Sequence, residues 1–154
     1  MASSIKNANL TVYIKEDLEL NATAYGSNVK FVISDINEAS QRIVTVPTFQ
    51  TDIMLLSSSN GAGTFASSSL KYARLTNLDN DNFVRLTFTS GSNASGGTNQ
   101  YEVKLDPKRS FVFTNDKYSG SASGRTFDSF ASFTNLKAVA ATGSVDMEIF
   151  VATT

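Results

Sequence analysis

Short runs in which apolar residues alternate with other residues recur along the whole chain, and this pattern most constrains the fold. In the last run every second residue is apolar: Val145, Met147, Ile149 and Val151. Successive side chains of a β-strand point to opposite faces, so the pattern predicts strands with one buried face. Segments rich in Gly, Ser, Asn and Asp separate the runs and favour turns. We therefore predict an all-β fold of about nine or ten short strands.

The length of 154 residues suits one domain with a substantial core, since such a chain buries roughly 70% of its unfolded surface. We predict a single-domain antiparallel β-sandwich over residues 10–154, preceded by a polar N-terminal arm at residues 1–9. The long loops and the number of strands favour a jelly roll over an immunoglobulin-like sandwich. The chain has no Cys and no Trp, so it lacks the Cys–Trp–Cys hallmark of immunoglobulin domains.

The segment Ser69–Thr89 is predicted to form a β-hairpin at mid-chain. Two β-rich runs, Leu70–Thr76 and Phe83–Thr89, flank the Asn- and Asp-rich sequence Asn77–Asn82. Asn and Asp bond their own backbone and tolerate the left-handed conformation, which is the chemistry of a tight turn.

The first long run, Leu10–Leu20, is interrupted in its middle. Its apolar face comprises Leu10, Val12, Ile14, Leu18 and Leu20, and Glu16 breaks this face. The interruption indicates either a bulge at Glu16–Asp17 or two short strands with a bend. A turn region containing Gly26 is predicted over Asn21–Asn28.

The second half of the chain contains two long polar loops, Ser90–Asn99 and Asn115–Arg125. The first is predicted to be a long hairpin loop between strands. After a turn at Asp106–Arg109, the run Ser110–Thr114 is expected to pair back with the strand before it. Three aromatic residues with a spacing of three are interpreted as core or interface plugs: Phe127, Phe130 and Phe133.

Composition and charge exclude several function classes. With 13 basic and 14 acidic residues the net charge is −1, without the basic excess typical of nucleic-acid binders. Without His or Cys, the chain cannot form thiolate metal sites or a Ser-His-Asp triad. No secretory signal pattern and no apolar stretch of roughly 20 residues is found, so we expect a product made in a cytoplasm that does not span a membrane.

Two acidic residues of the mid-chain turn, Asp79 and Asp81, are the candidate metal ligands. Together with Asn80 and Asn82 they form an oxygen-rich sequence that could hold calcium. The sequence lacks the flanking Gly and distal Glu of an EF-hand loop, and a turn needs the same residues. We favour the turn and expect no cofactor and no catalytic residue.

Other charged groups also have a structural and a functional interpretation. Asp146 and Glu148 share a strand face about 7 Å apart, a spacing that allows a glycosidase pair or a solvated face. The acidic cluster comprises Glu16, Asp17 and Glu19, and the basic cluster comprises Lys104, Lys108, Arg109 and Lys117. For the carboxylates we favour a solvated or interface face. The basic cluster could pair with an acidic patch on a neighbouring protein, but we favour a solvated turn.

Five phrases along the chain, in this order, resemble small virion structural proteins of tailed bacteriophages, especially marine and cyanobacterial phages. They are residues 14–21 (IKEDLELN), 41–48 (QRIVTVPT), 72–77 (YARLTN), 82–84 (NFV) and 145–152 (VDMEIFVA). The resemblance implies a non-enzymatic protein of the particle, made in the host cytoplasm and located on the capsid surface. A capsid decoration (cement) protein is the favoured role. Such a protein binds the major capsid protein or other virion proteins, often as a trimer.

Two alternatives remain open within and beyond this resemblance. One is a tail or fibre-associated component, or a jelly-roll carbohydrate-binding or adhesin module that recognises host glycans. Its candidate stacking residues are Tyr13, Tyr25, Tyr101 and Tyr118. The other is a small enzyme of cupin-like or glycosidase-like type, although a cupin metal site normally needs His. For a decoration protein, the candidate contact elements are Met1–Asn9, Ser57–Gly63, Ser90–Asn99 and Asn115–Arg125.

Overall fold

The computed structural model describes residues 6–57, 64–66, 69–92, 98–114, 118–119, 127–128 and 133–154. The described residues form fifteen strands: β1 (Ala8–Lys15), β2 (Leu18–Leu20), β3 (Thr23–Tyr25), β4 (Asn28–Ile36), β5 (Glu38–Val46), β6 (Thr51–Ser57), β7 (Thr64–Ala66), β8 (Leu70–Asn77), β9 (Val84–Ser92), β10 (Thr98–Leu105), β11 (Ser110–Thr114), β12 (Tyr118–Ser119), β13 (Phe127–Asp128), β14 (Phe133–Ala140) and β15 (Val145–Thr153). The count exceeds the predicted nine or ten because several short pairs lie outside the main sheets.

Nine of these strands build two sheets. The four-stranded sheet has the order β11-β8-β15-β5, and the five-stranded sheet has the order β10-β9-β14-β6-β7. Neighbours within each sheet are antiparallel except β6 and β7, which are parallel. The buried apolar residues on the facing sides of both sheets form one cluster. The protein is thus an all-β sandwich, as the alternating sequence predicts.

Eight of these strands pair in a nested order. Taking β5, β6, β8, β9, β10, β11, β14 and β15 in chain order, the first pairs with the last, the second with the seventh, the third with the sixth and the fourth with the fifth. Successive pairs alternate between the two sheets. This nested, alternating pairing is a jelly roll, which confirms the predicted architecture.

The prediction of a β-hairpin at Ser69–Thr89 is wrong. The strands β8 and β9 belong to different sheets, and the loop of residues 78–83 crosses between them. Turn chemistry bends the backbone, but six loop residues also suffice to cross the roughly 10 Å between packed sheets. The expected return of Ser110–Thr114 onto the preceding strand is wrong for the same reason, because β11 pairs with β8. The strands flanking Ser90–Asn99 do pair, as predicted.

The core confirms the inward faces expected from alternation. Val145, Met147, Ile149 and Val151 are all buried. An aromatic group at the core centres on Phe88, whose ring stacks on Tyr101 at 4.5 Å and meets three further rings edge-on: Phe111, Phe113 and Phe133. Phe133 is therefore a core residue, as predicted. Phe130 lies outside the described residues, and Phe127 is described only as part of strand β13.

Strands β1 to β4 form a separate structure, the N-terminal hairpin. From Leu10 to Leu20, the pairing of β1 with β4 and of β2 with β3 keeps one register. The Glu16 N–H bridges the break between β1 and β2 by donating to the Ser27 carbonyl at 2.8 Å. The alternative of two short strands is thus confirmed for residues 10–20. The turn is narrower than predicted: only Asn21 and Ala22 form it, both with positive φ (52° and 61°), as in a type I′ turn.

The base of the N-terminal hairpin packs on the outer face of the four-stranded sheet. Its residues Leu10, Val12, Phe31 and Ile33 contact a second apolar cluster formed by Ile36, Tyr72, Ala152 and Phe150. A single residue, Asn37, separates β4 from β5, and its N–H donates to the Thr153 carbonyl at 2.9 Å. Of the predicted polar arm, residues 1–5 lie outside the described part, and Ala8 and Asn9 belong to β1.

Candidate functional site

The outer face of the four-stranded sheet is apolar at one end and polar at the other. Alternation along β8 and β15 places Tyr72, Arg74 and Thr76 of β8 on this face, with Phe150, Glu148 and Asp146 of β15. The apolar end, at Tyr72 and Phe150, lies under the N-terminal hairpin. The polar end carries the side chains that could act chemically.

A row of hydrogen bonds crosses all four strands at the polar end. Glu148 accepts from Gln41 on β5 and from Arg74 on β8, with 2.7 Å between Arg74 Nη2 and Glu148 Oε2. Arg74 also donates to Thr76, which contacts Ser110 on β11. The sequence offered no signal for these partners, because Gln41 and Arg74 lie 107 and 74 residues from Glu148.

The carboxylates Asp146 and Glu148 lie on one face, as predicted, but their environments do not suit a glycosidase acid. The hydrogen bonds from Gln41 and Arg74 lower the pKa of Glu148. A general acid in such a pair needs a raised pKa. Asp146 accepts from the Thr45 hydroxyl at 2.7 Å. The pair therefore contributes to hydrogen bonding across the sheet.

The loop that follows β8 is held by Asn77, whose side chain is fully buried. Its amide nitrogen donates to the carbonyls of Asn82 and Leu105, and its amide oxygen accepts the Asp79 N–H at 2.9 Å. Asp79 Oδ1 in turn accepts the N–H groups of Asn82 (2.7 Å) and Asp81 (2.8 Å). These backbone hydrogen bonds, first that from Asn82, lower the pKa of Asp79.

The candidate metal ligands Asp79 and Asp81 therefore have unequal positions. One oxygen of Asp79 is occupied by the turn, and Asp81 is exposed. In the part of the chain that the structure describes, no three acidic side chains come close enough together to hold a metal ion. The observed role of Asp79 is to shape the loop.

An open cleft of ≈ 560 Å³ lies beside this loop, at the polar end of the sheet. Its lining combines hydroxyl, amide, carboxylate and aliphatic groups: Ile43, Thr45, Leu78, Asp79, Asn80, Ser144 and Asp146. Ile43 is 63% exposed and provides an apolar surface next to polar groups. Such a combination can bind a small polyhydroxylated ligand.

The second candidate feature is the outer half of the N-terminal hairpin. Continuing the face that packs on the sheet, strand register places five further apolar side chains in line: Ile14, Leu18, Leu20, Tyr25 and Val29. They are 49–56% exposed. We call these five residues the distal ladder. Apolar patches of this kind mark interaction sites, because their exposure to water is unfavourable.

The remaining predicted residues do not converge on one site. Tyr13 and Tyr25 lie on opposite faces of the N-terminal hairpin by strand register, and Tyr101 stacks on Phe88. The side chain of Tyr118 and most of the three candidate contact loops lie outside the described residues. In the basic cluster, Lys104 pairs with Asp106, and Lys108 donates to the Leu78 carbonyl. Lys117 is outside the described part.

The acidic cluster lies in the outer half of the N-terminal hairpin. Glu16 accepts from the Ser27 hydroxyl at 3.1 Å, and Asp17 pairs with Lys15 at 3.2 Å. All three carboxylates of the cluster are exposed, which agrees with a solvated or interface face.

No helix in the described part of the chain has the length and apolar character needed to cross a membrane. A scan against protein-family models, a search of curated proteins and a search of solved structures each found no match to this chain.

Proposed function

We propose that the protein is a non-enzymatic structural protein of a bacteriophage particle, a capsid decoration protein that works by protein–protein contact. The observation that carries the proposal is the distal ladder, which presents five half-exposed apolar side chains on a hairpin that projects from the jelly roll. From Ile14 to the turn at Asn21 the projection is about 24 Å, at about 3.4 Å per residue. A two-stranded hairpin of this kind is marginally stable alone and gains stability from a partner surface.

Further support comes from the chemistry of the jelly roll. The carboxylates Glu148 and Asp79 have lowered pKa values and remain ionised near neutral pH, so they are poor proton donors. The resemblance of five sequence segments to phage virion proteins supports a location on the phage particle. A jelly roll by itself is compatible with several functions, and so the contact surface, not the fold, carries the argument.

Binding to empty capsids of the phage that encodes the chain tests this function. We expect the purified protein to co-sediment with the capsids. Substitution of Leu18→Ser together with Tyr25→Ser should weaken binding at least about tenfold, since buried aromatic and aliphatic anchors dominate interfaces. Ile43→Ser is the matched control, because Ile43 is equally exposed but lies on the jelly roll. Absence of co-sedimentation, together with absence of the protein from purified particles, would contradict the proposal.

A second candidate function is glycan binding, and the cleft beside Asn80 and Ser144 favours it. Sugar hydroxyls would bond to the hydroxyl, amide and carboxylate groups, and the C–H face would pack on Ile43. A glycan array tests this candidate with wild-type protein and the Asn80→Ala and Ser144→Ala variants. Bound glycans that are lost in the variants would support it, and an array without bound glycans would reject it.

A further inference from the structure

The N-terminal hairpin is joined to the jelly roll by a short hinge. Asn37 is the only residue between β4 and β5. Two positions earlier, Asp35 has a φ of 61°, in the left-handed region that favours glycine and that Asp adopts more readily than most other residues. The register of β1 and β4 shifts here, because Ala8 and Leu10 pair with Ile36 and Ile33. A connection this short can favour exchange of the attached element between copies of a chain.

The hairpin packs on the jelly roll through side chains. We call the surface that it covers, at Tyr72, Phe150 and Ala152, its seat. Among the described residues, the hairpin strands pair with one another and with no strand of the two main sheets. The contact depends on apolar packing of Val12 and Phe31 with their neighbours against Tyr72 and Phe150. The hairpin can therefore leave its seat without breaking a backbone ladder.

These observations identify a partner for the hairpin. We infer that the N-terminal hairpin is exchanged between copies of this chain, so that the hairpin of one copy occupies the seat at Tyr72, Phe150 and Ala152 of the next copy. Every copy carries the same seat, and its fit to the hairpin is already visible within one chain.

This inference rests on the proposed function in one respect: it names a second copy of the chain as the partner of the hairpin when the particle is assembled. A closed ring of exchanged hairpins holds two or three copies with all seats filled.

The hinge can be tested by size-exclusion chromatography with light scattering over a range of protein concentrations. We expect a dimer or trimer for the wild type. Asp35→Gly should weaken self-association roughly fivefold for each exchanged hairpin, because glycine adopts a positive φ more readily than aspartate does and so favours the closed monomer. Ala22→Gly is the matched control: Ala22 has the same φ of 61° but lies at the hairpin tip. We expect no change in association for this variant.

The exchange itself can be tested by cross-linking, because the chain has no native cysteine. A tagged Val12→Cys chain is unfolded, refolded with an untagged Ala152→Cys chain and treated with a short bismaleimide. A covalent species that contains both chains supports exchange. The double variant Val12→Cys/Ala152→Cys, at high dilution, shows that the two positions can be linked within one chain.

A protein that is monomeric at all concentrations overturns the inference. So does a mixture of the two single variants that gives no covalent species containing both chains while the double variant is linked within one chain. Its failure can be distinguished from failure of the proposed function. A monomer that still binds capsids through Leu18 and Tyr25 would contradict exchange alone. An exchanged oligomer that does not bind capsids would contradict the decoration role alone.

Discussion

Arg74 on β8 and Glu148 on β15, 74 residues apart in the chain, form an ion pair across the outer face of the four-stranded sheet, with 2.7 Å between Nη2 and Oε2. The Glu148 side chain is only 20% exposed, and Gln41 supplies a second hydrogen bond to it. The pair therefore connects three of the four strands of this sheet. Because the pair lies between the N-terminal hairpin and the cleft, substitution of Glu148 tests the stability of this outer face.

The first prediction concerns the pH dependence of stability. Hydrogen bonds from Gln41 and Arg74 lower the folded-state pKa of Glu148 below its ordinary value of 4.5. Its contribution to the free energy of unfolding is thus complete above its ordinary pKa and is lost as the pH falls through the lowered folded-state pKa. Glu148→Gln should lower stability by about 1 kcal/mol at neutral pH and flatten the decline on acidification.

Thermal unfolding between about pH 7 and about pH 3 measures this effect. Glu102→Gln is the control, because the Arg85–Glu102 pair has 3.7 Å between its atoms and both side chains are about half exposed. We expect a negligible change for that variant. Equal acid sensitivity of the wild type and Glu148→Gln would contradict the assignment.

The second prediction concerns the buried amide of Asn77. Asn77→Ala leaves two carbonyls, of Asn82 and Leu105, and the Asp79 N–H without this partner. A buried group that loses its hydrogen bond costs about 1–3 kcal/mol, and only the bond to the Leu105 carbonyl is fully buried. We therefore expect a loss of about 2–4 kcal/mol in urea unfolding. Asn80→Ala, at an exposed position of the same loop, should cost less than about 0.5 kcal/mol. Equal effects of the two substitutions would show that the buried amide does not hold the loop.

The third prediction concerns the aromatic core. Phe88→Ala removes the ring that contacts Tyr101, Phe111, Phe113 and Phe133, and should destabilise the protein by about 3–5 kcal/mol. Phe49→Ala removes a ring that is 69% exposed and should cost less than about 1 kcal/mol. Denaturant unfolding of both variants gives the comparison. A small effect at Phe88 would mean that the two sheets do not pack through this ring.

The fourth prediction concerns the stability of the N-terminal hairpin relative to that of the jelly roll. A Cβ at Gly26, which has a φ of +148°, would lie 2.1 Å from the Glu16 carbonyl oxygen. Gly26→Ala should therefore open the outer half of the hairpin, with faster amide hydrogen exchange in residues 16–27 and an unchanged melting temperature of the jelly roll. Gly143, with a φ of +65°, has no atom within 4 Å of an added Cβ.

Gly143→Ala serves as the comparison for Gly26→Ala. Its effect comes from backbone strain alone, about 1 kcal/mol in the turn before β15, with no change of exchange in the hairpin. If Gly26→Ala left exchange in residues 16–27 unchanged, the close approach of the two hairpin strands would be contradicted.

Several features of the fold could be predicted from local sequence. The alternation of Val145, Met147 and Ile149 with Asp146 and Glu148 identified both faces of β15, because side-chain direction in a strand depends only on parity. The interruption at Glu16 indicated either a bulge or two short strands, and the second of these alternatives is the one observed. The position of the turn after β8 was also correct, since Asn77 and Asp79 bond the local backbone there.

The partners of those strands could not be predicted in the same way. The loop chemistry of residues 77–82 is the same whether the next strand returns beside β8 or crosses to the other sheet, and so the hairpin prediction failed. The cleft residues Ile43, Asn80 and Ser144 come from three distant segments. No local pattern connects them, because their proximity results from the order in which strands pair.

By itself, the sequence determined the long strands of the two main sheets, the inward faces of those strands and the all-β class, because these depend on side-chain parity and on turn residues a few positions apart. The tertiary structure alone decided that β8 pairs with β11 and β15, that Glu148 meets Arg74, and that the distal ladder of the N-terminal hairpin faces water. The physical reason is that burial and pairing are properties of surfaces brought together from across the chain.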